Sequence, residues 1–102
     1  MIPQLSQDQL RQARLAAASA RRARAGLKSE LRQGRVNLAQ ALDQAADDPV
    51  LAHIKVVDLL RSVNRVGEKR AAEVMRQAGI AANRRVRGLG RRQLASLKAA
   101  FV

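Results

Sequence analysis

Apolar residues fall at helical spacing in short runs along this chain, and each run is bounded by residues that start or stop helices. Ser6 followed by Gln9 reads as a capping box, with Leu5 and Leu10 placed as its hydrophobic staple. From Gln7 onward, Ala, Leu, Gln and Arg predict a helix that Gly26 weakens by about 1 kcal/mol relative to Ala without ending it. Gly34 is the better stop. Leu27 and Leu31 form an i,i+4 apolar pair in the second half of this helix. The first half offers only Leu10 and Leu15 among many alanines, a stripe too thin to bury deeply, so it should project or lie across the surface. A second helix opens at Asn37, with Gln40 repeating the capping logic, and runs through Leu38, Ala41, Leu42 and Ala45. Asp48-Pro49 closes it and supplies the N-cap and first position of a short helix carrying Val50, Leu51 and Ile54. Val56, Leu59, Leu60 and Val63 form a further apolar face. After a break at Arg65 to Gly67, a helix through Ala71, Val74 and Met75 reaches about Ala78, where Gly79 caps it. Residues 81–90 read as a basic loop, and a final helix covers about 91–101. The expectation is an all-α protein: a long basic N-terminal helix over 1–36, and a compact bundle of about four to five short helices over 37–102, forming one structural unit.

Composition sharpens this picture. In 102 residues there is one Phe and no Trp or Tyr, so Leu, Val, Ile and Ala must do the packing, which suits closely packed helices better than a β-sandwich. The 20 Lys and Arg outnumber the 8 Asp and Glu, for a net charge of +12, and a polyanionic partner is the leading expectation. Lys occurs only at 28, 55, 69 and 98, so the charge is overwhelmingly Arg, whose planar donor fork suits phosphate. It is also unevenly placed, because a mostly acidic stretch with Asp43, Asp47, Asp48 and Asp58 separates two basic ones. Cysteine is absent, which removes disulfides, thiolate metal sites and Cys nucleophiles together and fits a reducing interior. No run approaches the roughly 18 apolar residues of a membrane span, and the N-terminus lacks a signal-peptide pattern, so a cytoplasmic protein without a membrane partner is expected. With no sustained apolar heptad seam, it should be a monomer.

The most informative feature is an internal repeat at an offset of 23 positions. Val63 aligns with Val86, Val66 with Leu89, Gly67 with Gly90, Ala71 with Leu94 and Val74 with Leu97. Both copies run apolar, x, x, apolar, Gly, followed by a helix. A tight turn ending in Gly lets backbone approach a phosphate closely, and the helix that follows points its free N–H groups at it. Lys69 and Arg70 add charge past the first Gly, and Arg91 and Arg92 past the second. The pattern resembles the helix–hairpin–helix consensus, in which a glycine-apolar-glycine hairpin grips the sugar-phosphate backbone without reading bases. Gly88-Leu89-Gly90 keeps both glycines, whereas Arg65 stands at the first glycine position of the other copy. Glu68 puts an acid beside that first turn and weakens it, so the second basic segment carries more weight. In the first helix Arg14, Arg21 and Lys28 recur every seven residues, with Arg22, Arg24 and Arg32 beside them, which makes either a solvated face or a second nucleic-acid surface.

Other candidates are bland. Gly34 and Gly79 read as helix caps, His53 as a packing residue without a second ligand for a metal, and Met75 and Phe101 as core. Asp47 and Asp48 are adjacent and so face apart, and an N-cap explains Asp48 better than acid–base chemistry does. No nucleophile–base constellation, cofactor site or metal site is found.

The order and composition of Ala20-Arg21-Arg22-Ala23-Arg24-Ala25, Asn37-Leu38, Val66-Gly67, Arg70-Ala71 and Arg84-Arg85-Val86-Arg87-Gly88-Leu89-Gly90 resemble the actinobacterial integration host factors over essentially the whole chain. The resemblance implies a helix–two-turns–helix fold akin to that of a ribosomal small-subunit protein. It further implies a non-enzymatic, nucleoid-associated role in bending or compacting double-stranded DNA and assisting site-specific recombination, with a phage integrase or recombination complex as a further partner. Carried over by position, it implies a phosphate-gripping hairpin at Asn64, Arg65, Val66, Gly67, Glu68, Lys69, Arg70 and Ala71. It also implies a basic lid at Asn83, Arg84, Arg85, Val86, Arg87, Gly88, Leu89, Gly90, Arg91, Arg92 and Gln93. Arg84, Arg85 and Arg87 lead that lid as loop residues that hold charge but no core. Two alternatives stand beside this: a ribosome- or RNA-associated protein using the same hairpins, against which the lack of stacking aromatics argues, and a DNA-repair glycosylase, for which the catalytic start and zinc finger are missing.

Overall fold

A computed structural model describes residues 4–101, which form five α-helices and two single 3-10 turns. Helix α1 spans Gln7–Arg32. Ser6 starts it as the sequence predicts: its side chain accepts from Gln9 N–H (3.1 Å) while Gln9 Oε1 accepts from Ser6 N–H (2.8 Å). Gly26 passes through without a break, and Gly34 ends the helix in the left-handed region at φ +72°. There Arg35 N–H reaches back to Glu30 O (3.0 Å) and Gly34 N–H to Leu31 O (3.1 Å), the paired bonds of a Schellman cap. Helix α2 (Leu38–Asp47) is opened by Asn37 and Gln40 through the same reciprocal pair of bonds. Asp48 then takes Val50 N–H on its carboxylate (2.9 Å) and leads into a 3-10 turn at Leu51–His53.

Helices α3 (Val56–Ser62), α4 (Glu68–Gln77) and α5 (Arg91–Ala100) follow, with a second 3-10 turn at Val86–Gly88 between the last two. Gly79, at φ +69°, closes α4 with a second Schellman cap: Ile80 N–H to Met75 O (2.9 Å) and Gly79 N–H to Arg76 O (3.1 Å). Met75 and Ile80 are both buried, which is the apolar contact this motif favours. The segment read as a plain basic loop over 81–90 is more ordered than that. Val56 N–H donates to Arg84 O (2.9 Å) and Val86 N–H to Ile54 O (3.0 Å), and Lys55 and Arg85 form an isolated antiparallel bridge.

One core gathers Leu27 and Leu31 of α1 with Leu38, Ala41, Leu42 and Ala45 of α2, Val56, Leu59 and Leu60 of α3, Ala71, Val74 and Met75 of α4, and Leu97 of α5. The half of α1 before Leu27 contributes nothing to it, and Leu15 is 62% exposed. The Cα radius of gyration of 15.8 Å exceeds the roughly 13 Å of a compact 100-residue domain, as a projecting helical arm requires. His53 lies at the body's surface, partly exposed between α1, α2 and the Val86–Gly88 turn. Among the described residues no helix is long and apolar enough to cross a membrane, and no group of potential ligands could hold a metal ion.

Candidate nucleic-acid interface

The sequence repeat is a structural repeat. Val66 N–H donates to Val63 O (3.1 Å) and, 23 residues later, Leu89 N–H donates to Val86 O (3.1 Å). Ala71 N–H donates to Gly67 O (3.0 Å) and Leu94 N–H to Gly90 O (2.9 Å), so each hairpin turns at the same register into a ten-residue helix. Val66 and Leu89 pack onto the core as equivalent anchors. Gly67 and Gly90 are the N-caps of α4 and α5, and as glycines they offer no side-chain oxygen to the first helical N–H groups. The positive ends of two helices are therefore presented at the surface with their donors available. A Cβ on Gly67 would meet nothing within 4 Å, and one on Gly90 only Gln93 Oε1 at 3.6 Å. These glycines leave open surface for an outside group, and nothing within the fold demands them.

An open groove of about 600 Å³ lies against the first hairpin, lined by Arg32 of α1, Arg61 and Ser62 of α3 and Val63 to Gly67. It adjoins a smaller depression of about 300 Å³ bounded by Lys28, Arg32, Asp58 and Arg61. Arg32 and Arg61 are additions to the site read from sequence. Arg32 flanks a stripe in the one-dimensional pattern, and only the packing of α1 on α3 carries it to the hairpin. Glu68, expected to repel phosphate here, pairs with Arg61 at 3.4 Å, and Arg61 also lies 4.0 Å from Asp58. Asn83, Arg84, Arg85, Arg87 and Gly88 line a second groove of about 400 Å³.

A family profile described as the S13-like H2TH domain matches residues 31–101. The integration host factors of Mycobacterium tuberculosis and Mycolicibacterium smegmatis are each 46% identical to this chain over 100 residues, covering 98% of it and 95% of themselves. That of Streptomyces coelicolor is 40% identical over 98% of this chain and 94% of its own. A solved structure of sIHF bound to an 8bp palindromic DNA superposes with a TM-score of 0.81 at 41% identity, covering 85% of this chain and 98% of that one. The chain belongs to the actinobacterial integration host factor family. It has the all-α, helix–two-turns–helix architecture that the sequence led us to expect.

In this member of the integration host factor family, the expected lid residues divide into two sets. Arg84 donates to Gly88 O (2.7 Å) and Arg85 to His53 O (2.5 Å), both half-buried and both holding the lid to itself or to the body. A Cβ at Gly88 would come within 2.9 Å of Arg84 Cδ, so the flexible Arg84 side chain would have to shift to admit one. Gln93 accepts from Gly90 N–H and donates to Gly79 O, each at 2.9 Å, and so ties the start of α5 to the end of α4. Arg87, Arg91 and Arg92 are exposed and have no side-chain partner among the described residues. Arg70 turns away from the first groove, its guanidinium 5.4 Å from the Phe101 ring centroid, and with Lys69 it lines a separate depression near Ala100. The N-terminal stripe divides as well. Arg24 Nε donates to Val50 O (2.9 Å) and Lys28 lies at the first groove, whereas Arg14, Arg21 and Arg22 stand exposed on the arm. His53 is surrounded by cations: Arg87 foremost, then its partial burial, then Arg24 and Arg85 hold its pKa below the ordinary value of 6.5.

Proposed function

We propose that this protein is an architectural double-stranded DNA-binding protein of the nucleoid. It holds the phosphate backbone at two hairpins, bends or compacts the duplex with little base readout, serves site-specific recombination, and acts without catalysis. The observation that carries this is the pair of uncapped helix N-termini at Gly67 and Gly90, each beside an arginine-lined groove. The relative whose solved structure is bound to palindromic DNA supports the choice of duplex. In the first hairpin Arg32, Arg61 and Arg65 join the backbone of Val66 and Gly67, and in the lid Arg87, Arg91 and Arg92 reach phosphate while Arg84 and Arg85 position them. The body over 37–102 is the DNA-binding unit, and the arm with Arg14, Arg21 and Arg22 is an accessory surface.

The test is salt-dependent binding to a short mixed-sequence DNA duplex and, in parallel, to an RNA duplex of equal length. Preference for DNA is expected, with affinity falling by on the order of tenfold or more per doubling of salt if about five phosphates are neutralised. Equal or tighter binding to RNA would put a ribosome-associated role in its place.

A further inference from the structure

The one histidine of this chain sits on the turn that packs against the lid turn carrying Arg87, a proposed phosphate contact. Its carbonyl accepts from Arg85, its side chain is partly exposed, and the Leu51–His53 turn packs against the Val86–Gly88 turn that carries Arg87. From the other side α1 delivers Arg24, held by its bond to Val50 O. The third neighbour of the turn, α2, carries Asp43, which is paired with Lys98 at 2.6 Å, and Asp47, with Asp48 at its end. Asp48 is already occupied by Val50 N–H. Three guanidinium groups therefore lie about the His53 turn, and their charge, that of Arg87 first, disfavours the imidazole's charged form. A phosphodiester held by Arg87 would bring negative charge to the same spot and reverse that balance.

We propose that His53 takes up a proton as a DNA backbone seats on Arg87 of the lid, adding a cation beside it and making duplex binding tighten as pH falls. This rests on the DNA-binding reading above. The composition makes it sharply testable. There is one His and no Cys, so between pH 5.5 and 7 no other side chain at its ordinary pKa titrates, and the α-amino group lies above that window. Uptake of a full proton tightens binding by about tenfold per pH unit, and partial uptake by less. The sign for the unliganded fold is opposite. A histidine whose pKa is lowered by folding makes the fold less stable as pH drops below about 6.5, because the unfolded chain then binds the proton more readily.

The experiment follows duplex affinity from pH 7 to 5.5 at constant ionic strength for the full chain and for His53→Gln, alongside the NMR titration of the His53 Cε1–H with and without a mixed-sequence DNA duplex. The proposal expects affinity to rise severalfold on acidification, His53→Gln to flatten the rise, and the His53 midpoint to move from below 6.5 in the free protein to above it in the complex. His53→Lys, which fixes the charge, should be tighter than His53→Gln and equally flat. A duplex that binds with its pH slope unchanged in His53→Gln, or with the His53 midpoint unmoved, overturns the proton link while leaving the DNA-binding reading intact. No duplex binding at any pH overturns both. Thermal melts of both variants distinguish a failure to fold from a failure to bind.

Discussion

Arg65 holds φ at +69° in the first hairpin, and it is the described non-glycine residue with a left-handed backbone. Its counterpart in the repeat is Gly88, which does not share that conformation and whose Cβ position borders the flexible Arg84 side chain. The alignment of the two copies thus locates both hairpins, while the left-handed backbone at Arg65 does not follow from its match to Gly88. Conformational strain and side-chain crowding are properties of three-dimensional backbone that letters at matched offsets do not carry. Left-handed backbone costs an L-residue about 1–2 kcal/mol, so Arg65→Gly should be more stable than Arg65→Ala by roughly 1 kcal/mol although both remove the same charge. That difference is read as a melting-temperature gap of about 4–8 °C per kcal/mol. Gly90→Val tests the other role of glycine. A Cβ there comes no closer than 3.6 Å to Gln93 Oε1, so the melting temperature should reflect only the poorer N-cap, about 1 kcal/mol, while duplex affinity should drop at least about tenfold if backbone must touch phosphate there, the equivalent of roughly 1.4 kcal/mol. Normal binding by a folded Gly90→Val protein would remove that hairpin from the interface.

At the level of helices, what begins and ends each one is legible because caps are local chemistry. Ser6 with Gln9, Asn37 with Gln40, and glycines at 34 and 79 act within four residues of themselves, and all are found in the roles their spacing implies. The projecting half of α1 is equally local, since alanines with a single exposed leucine cannot hold a helix to a core. What the pattern leaves out is how helices meet: Arg32 at the first hairpin, Arg24 at Val50 and Arg85 at His53 depend on residues 26 or more positions apart. The two halves of α1 predict contrasting stabilities. Leu27→Ala and Leu31→Ala empty well-packed core and should each destabilise by about 2–5 kcal/mol in chemical denaturation. Leu15→Ala, on the exposed arm, should stay within about 0.5 kcal/mol of the parent. A large loss from Leu15→Ala would mean that the arm is buried in solution, for instance against a second copy.

For the molecule as a whole, the question is which of its positive charges a duplex would meet. Net charge of +12 alone predicts attraction to any polyanion but not a particular stoichiometry of phosphates. Arginines already committed to carbonyls or carboxylates change little in their surroundings on binding. Free ones displace counterions from DNA. Arg87, Arg91 and Arg92 are of the second kind, exposed and without partners among the described residues, whereas Arg84 and Arg85 hold the lid in register. Replacing all five with Ala would therefore confound the removal of charge with a loosened lid, and the two sets are better separated. Substituting Arg87, Arg91 and Arg92 by Ala should leave the melting temperature nearly unchanged and flatten the plot of log affinity against log salt by up to about 0.9 for each phosphate no longer neutralised. Substituting Arg84 and Arg85 should lower affinity with less change of slope and reduce amide protection at Val56 and Val86, whose N–H groups bond to Arg84 O and Ile54 O. A salt slope that responded equally to both sets, with amide protection intact in both, would show that Arg84 and Arg85 face phosphate directly and that the carbonyl bonds give way when DNA arrives.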